Sequence, residues 1–255
     1  MHIRNVMSAA VLGALSGLIA EGYYAGHRPL PSFGNLDPSV EIGHAGAAPV
    51  SIVALGDSTI TGPGLLDPAE TWIRQALERV TRDVWIHLTS VATGGAKASD
   101  VRRHQLQPAL GMGAHIALVS VGSNDAIRGV PPAIFRSELR VIVDALCDSG
   151  AYVGLAGIGD LGTIPRLAPP LAQLLRARSA RFERIHAEVA QGNPRVVKIP
   201  IRVIATEPFR TRPGMFSPDL FHPSELGHAI WADAAHPTLA RLIDQVLERN
   251  RECAD

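Results

Sequence analysis

From residue 50 onward, compact apolar runs alternate with longer amphipathic stretches. Val50 to Leu55, Val84 to Val91, His115 to Val121, Tyr152 to Ala156 and Arg195 to Ile199 read as β-strands. The first, Val50-Ser51-Ile52-Val53-Ala54-Leu55, shows no clean alternation of apolar and polar positions. Strands buried on both faces look like this, and they belong to parallel sheets covered by helices. Between the runs, Pro68 to Val80, Ser99 to Leu110, Pro131 to Cys147, Leu171 to Ala190 and Pro223 to Arg249 predict helices, with Asp67 placed to cap the first. Such alternation implies right-handed βαβ units and an α/β fold, a three-layer sandwich around a parallel sheet of about five strands. Gly157 to Pro170 and Ile201 to Pro218 break the rhythm. Both follow strands and are long for αβ connections, so both are expected to be irregular loops that wall a substrate site.

Ahead of this domain the pattern changes. His2 and Arg4 precede an apolar run from Val6 to Ala20, followed by Glu21. That order predicts an export segment over residues 1–25, either a cleaved signal peptide or a membrane anchor. Residues 26–48 carry Pro29, Pro31, Pro38 and several glycines without periodicity, which predicts a flexible linker. The globular domain is expected to occupy 49–250.

Composition narrows the function classes. A chain of 255 residues suffices for one domain with a sizeable core. Its formal net charge is zero, which gives no electrostatic reason to expect a nucleic-acid partner. The 2 cysteines, Cys147 and Cys253, make no disulfide framework and no metal-ligand spacing, although a bridge between them stays open for an exported protein. His87, His104, His115, His186, His228 and His236 show no metal-binding spacing, so neither a metal nor a cofactor is expected. The arginines from Arg176 to Arg184 read as a solvated helix face, and the chain is expected to be monomeric.

The chemistry lies in four short motifs: Gly56-Asp57-Ser58, Gly95-Ala96, Gly122-Ser123-Asn124-Asp125 and Asp219-Leu220-Phe221-His222-Pro223. The first three each follow a strand, and ligands of open α/β sheets bind beyond the carboxyl ends of strands. Ser58 fits a nucleophile. Position 60 is Ile where an α/β-hydrolase elbow needs glycine, which disfavours that fold. Pro218 and Pro223 favour a turn that faces Asp219 and His222 the same way, so the carboxylate can fix the imidazole tautomer. The amides of Ser58 and Gly95 and the side chain of Asn124 can converge on an oxyanion. Asp125 is expected to hold the Asn124 loop by local hydrogen bonds.

On these four blocks the chain resembles the SGNH hydrolases, the GDSL esterase/lipase superfamily. The resemblance runs from about Val50 to the last helix. It departs at Thr59, where the family name implies leucine, and at Ser90, where the second block usually begins with asparagine. Membership implies a flavodoxin-like sandwich and metal-free hydrolysis of a small-molecule, lipid or carbohydrate ester through an acyl-serine, with Ser58, His222 and Asp219 catalytic and Ser58, Gly95 and Asn124 forming the oxyanion hole. An acyltransferase using the same acyl-enzyme, and a catalytically silent envelope-binding protein of the same fold, are the alternatives.

Overall fold

The computed structural model describes residues 2–252; Cys253 lies outside them. Helix α1 spans His2–His27. Strands β1 (Val40–Ile42) and β2 (Ala48–Gly56) lead into the short helix α2 (Ser58–Thr61), a 3-10 turn at Pro68–Glu70 and α3 (Trp72–Glu78). After β3 (Val84–Ser90), one helical stretch contains α4 (Ala98–Asp100), a π-turn at Val101–Gln105 and α5 (Leu106–Gly111). Then come β4 (Ile116–Ser120), α6 (Ser123–Ile127), α7 (Pro132–Asp148), β5 (Tyr152–Ala156), α8 (Leu171–Gln191), β6 (Val196–Ile199), α9 (Ile201–Thr211) and α10 (Glu225–Glu252).

The sheet has six strands in the order β1-β3-β2-β4-β5-β6, the last five parallel. β1 is the addition to the expected five. It pairs antiparallel on the outer edge of β3, with Val40 opposite Leu88 and Ile42 opposite Ile86. The parallel strands alone follow the 2-1-3-4-5 order of doubly wound sheets, whose strand order reverses between β2 and β4. The crevice at that switch point is where such sheets bind ligands.

Both faces of the sheet are buried, as the unbroken apolar strands require. Val53, Leu55, Ala117, Val119, Val153 and Leu155 face α7 and α8, meeting Phe135, Leu139, Ile142 and Phe182. Ile52, Ala54, Ile116, Leu118 and Ile199 face α3, α9 and α10, meeting Trp72, Leu77, Leu239 and Leu242. Two side chains of the Leu55 or Phe135 class, fully enclosed here, each contribute several kcal/mol through transfer and packing.

Two stretches differ from expectation. Ile201–Thr211 is a helix although Pro208 lies in its last part and Pro200 precedes it. Ile201 and Ala205, one turn apart, are buried on the core and hold it in place. The 26–48 stretch contributes β1 and further hydrogen bonds to the domain. Leu36 N–H donates to the Thr61 carbonyl at 2.8 Å, and Ser90 N–H donates to Ser39 Oγ at 3.0 Å.

The end of α1 rests against the start of α8. Leu171 N–H donates to the Glu21 carboxylate at 3.1 Å, and Arg166 donates to the Ala25 carbonyl. No described helix is long and apolar enough to cross a membrane.

Candidate active site

Ser58 opens α2 directly beyond β2. Gly56 takes φ +153°, and a Cβ there would stand 2.0 Å from the Ser120 carbonyl, so only glycine lets the strand end this close to β4. Both backbone groups of Gly56 are gripped by one buried side chain. Gln105 Oε1 accepts from Gly56 N–H at 2.8 Å, and Gln105 Nε2 donates to Gly56 O at 2.9 Å. The π-turn at Val101–Gln105 is what aims this amide inward, and such bulges often mark functional regions. No sequence motif announces Gln105.

Asp57 caps α2. Its carboxylate accepts from Thr59 N–H at 2.9 Å, from Thr59 Oγ1 at 2.8 Å and from Asn124 Nδ2 at 3.2 Å. Burial pushes this carboxyl above its usual range, and those hydrogen bonds oppose the rise. Thr59 therefore performs a task that leucine could not, since its hydroxyl also meets Ser120 Oγ at 2.6 Å. Ser90, the other departure, takes the Ala92 N–H on its hydroxyl at 3.3 Å.

Gly95 lies in the turn after β3 at φ +79°. The backbone N–H groups of Ser58 and Gly95 donate to no protein acceptor among the described residues. Asn124 stands on α6 beyond β4, behind Gly122 at φ +125°. One donor of its amide serves Asp57, leaving the second available. Asp125, expected from sequence to act by local hydrogen bonds, also reaches across to accept from Ala98 N–H at 3.0 Å. Burial first, then the Asp57 carboxylate, pushes its carboxyl up to about 6.

The Asp219–His222 turn is tightly built. Leu220 adopts φ +58°, an uncommon conformation for leucine, and folds His222 back over Asp219. One Asp219 oxygen accepts from Ser217 Oγ at 2.8 Å and from the N–H groups of Phe221 and His222 at 2.9 Å. The other accepts from His222 Nδ1 at 2.6 Å. Burial would raise this carboxyl, but the hydrogen bonds from His222, Ser217 and Phe221 outweigh it and hold it well below the usual carboxylate range. An ionised Asp219 keeps the proton on Nδ1 and leaves Nε2 as the free nitrogen. The last helix begins after this turn, at Glu225, with Ser224 Oγ accepting from Gly227 N–H at 3.2 Å.

Two cavities meet at these residues, and Ser58 and His222 line both. One, of about 80 Å³, is apolar: Trp72, Ile158, Leu161, Ile164, Ile201, Ala205, Phe209, Phe216 and Trp231 form its walls. The loop after β5 and the α9 region supply most of that wall, so the two stretches outside the sequence rhythm do meet at the site. The second, of about 290 Å³, is lined by Phe33, Asn35, Pro63, Gly94, Gly95, Asn124 and Phe221. Ser58, Gly95, Asn124 and His222 thus line the second cavity together, and Asp219 stands behind His222 through its hydrogen bond. Gln105, Phe33 and Asn35 also serve this region, and no sequence motif marks them.

The model of the GDSL-like lipase/acylhydrolase family matches residues 54–230. No curated protein matches the chain by sequence. Among solved structures, TesA is 21% identical and superposes with a TM-score of 0.61 over 75% of this chain and 99% of its own. A catalytic mutant of Axe2, an acetylxylan esterase from Geobacillus stearothermophilus, is 18% identical with a TM-score of 0.60, covering 76% of this chain and 93% of its own. The psychrotrophic esterase EstA from Pseudoalteromonas sp. is 18% identical with a TM-score of 0.53, covering 79% and 98%. At these identities the superpositions speak to the fold.

Proposed function

The chain belongs to the GDSL-like lipase/acylhydrolase family and is a carboxylic ester hydrolase, and we propose that it acts through an acyl-enzyme formed on Ser58. The observation that carries this reading is that Ser58 and His222 line the same two cavities while Asp219 holds His222 Nδ1 at 2.6 Å.

Ser58 Oγ attacks the ester carbonyl as its proton passes to His222 Nε2. Asp219 stabilises the imidazolium that forms, and the oxygen of the tetrahedral intermediate receives the Ser58 and Gly95 amides and the spare Asn124 donor. Collapse expels the alcohol, which takes the proton from His222. A water molecule, deprotonated by His222, then releases the acid and restores Ser58. Two preorganised backbone N–H groups without protein partners are what an oxyanion site needs, because they require no rearrangement when charge develops.

The apolar cavity, with Phe209, Phe216 and Trp231 at its walls, receives the acyl group. Purified enzyme should hydrolyse p-nitrophenyl acetate and Ser58→Ala should not. Retained hydrolysis by that variant, with its fold intact by circular dichroism, would overturn the assignment.

The apolar run from Val6 to Ala20 behind His2 and Arg4 supports export of the chain. A reporter fused after residue 48 should be active outside the cytoplasm; retention inside would contradict that.

A further inference from the structure

One wall of the second cavity comes from ahead of the stretch that the family model matches. Phe33 and Asn35 line it beside Ser58, Gly95, Asn124 and His222, and both precede residue 54, where the family match begins. The segment that carries them is fastened to the domain. Leu36 N–H bonds the Thr61 carbonyl at 2.8 Å, Ser39 Oγ accepts from Ser90 N–H at 3.0 Å, and Val40–Ile42 pair with β3.

Asn35 itself is oriented. Thr61 Oγ1 donates to its Oδ1 at 2.7 Å, and Gly94 leaves the room it needs, since a Cβ there would stand 2.1 Å from that oxygen. Fixing Oδ1 leaves the amide nitrogen, which has no protein acceptor among the described residues, free at the cavity. Phe33, 37% exposed, adds an aromatic face at the same mouth. An exposed ring next to an amide with a spare donor is a pairing that suits a ligand with both hydroxyl groups and C–H surface.

An ester has two arms, and the apolar cavity suits only one of them. We propose that Asn35 and Phe33 form the subsite for the alcohol arm: Asn35 Nδ2 donates to a hydroxyl or ring oxygen of a polyol leaving group, such as a sugar, while Phe33 packs against its C–H face. This rests on the ester-hydrolase reading of Ser58. Sites built to bond a substrate oxygen discriminate against analogues that lack it, so the subsite makes the N-terminal segment a specificity element.

The test compares two acetyl esters on the full chain: an acetylated methyl glycoside and p-nitrophenyl acetate, whose leaving group has no hydroxyl. Asn35→Ala should lower kcat/KM for the glycoside about tenfold, chiefly through KM, the size expected for one neutral hydrogen bond. It should leave p-nitrophenyl acetate within about twofold. Asn35→Asp separates recognition from anchoring, because aspartate still accepts from Thr61 but cannot donate; it should lose the glycoside as Asn35→Ala does. Phe33→Ala should likewise raise KM for the glycoside. No wild-type hydrolysis of the glycoside, an Asn35→Asp variant equal to wild type on the glycoside, or an equal loss on both esters would each overturn the subsite. Labelling with a fluorophosphonate keeps the two levels apart: a wild type labelled at Ser58 with unchanged Asn35 variants sinks only the subsite, whereas absence of Ser58 labelling sinks the hydrolase reading beneath it.

Discussion

Asp125→Asn gives a quantitative test of the site's electrostatics. Asp125 is buried behind Asn124, with Ala98 N–H as its partner at 3.0 Å and Asp57 as a neighbouring carboxylate. Burial raises it from 3.8 to about 6. The folded protein therefore binds a proton between those values that the unfolded chain has already released. This contribution to stability is fully present below 3.8 and is lost as the pH rises to about 6. Once ionised, the carboxyl costs the fold about 3 kcal/mol. Asparagine keeps an acceptor for Ala98 and carries no charge. Urea unfolding of both proteins, followed by tryptophan fluorescence from pH 4 to 7.5, gives the difference directly. Asp125→Asn should gain about 2–3 kcal/mol on wild type between pH 4 and pH 7. Contributions from other titrating groups cancel in that comparison, and any constant offset from the amide shape leaves the slope untouched. A difference that stays flat with pH, or that moves against the variant as pH rises, would refute the argument.

Other perturbations address separate parts of the account. His228 is fully buried, its Nδ1 accepts from Trp72 N–H at 3.2 Å, and burial, then His222, lowers it to about 3. His228→Leu should cost about 1–3 kcal/mol at pH 7 by orphaning that N–H. The deficit should shrink as pH falls from 6.5 to 4, where the wild type alone loses this contribution, and urea titrations at several pH values would show it. Asn124→Ala should cut kcat for p-nitrophenyl acetate about 10²–10³-fold. A loss confined to KM would argue against oxyanion contact. Ala205, buried on α9 in the wall of the apolar cavity, offers a steric probe: Ala205→Phe should remove activity on octanoate and decanoate esters while sparing acetate. Equal rates across the chain-length series would place the acyl group elsewhere. Leu55→Ala, at a fully buried position of β2, should cost about 2–5 kcal/mol in unfolding free energy.

The sheet and the four motif turns at its edge were legible because each rests on local chemistry. Val50 to Leu55 has no polar face, so it could only be a covered strand, and Gly56, Gly95 and Gly122 mark where strands give way to turns at one edge. Asp219 and His222 were legible because two prolines bracket their turn. What escaped depends on partners distant in sequence. β1 is three residues long, too short for any period, and exists because β3 offers it an edge. Helix α9 was hidden by Pro200, Pro208 and Pro213, whose local signal against helix is overridden by burial of Ile201 and Ala205. Gln105 is one polar residue in an amphipathic stretch, and its role arises only when the π-turn aims it at Gly56. Asp125 finds its partner 27 residues away, where local spacing cannot reveal it.

The measurement that bears most directly on the central claim is covalent labelling of the native protein by a serine-directed fluorophosphonate, located by peptide mass spectrometry. A single adduct on Ser58, abolished by Ser58→Ala and strongly slowed by His222→Ala, is the expected result. An adduct on another serine, or full ester hydrolysis by a protein whose Ser58 stays unmodified, would contradict it.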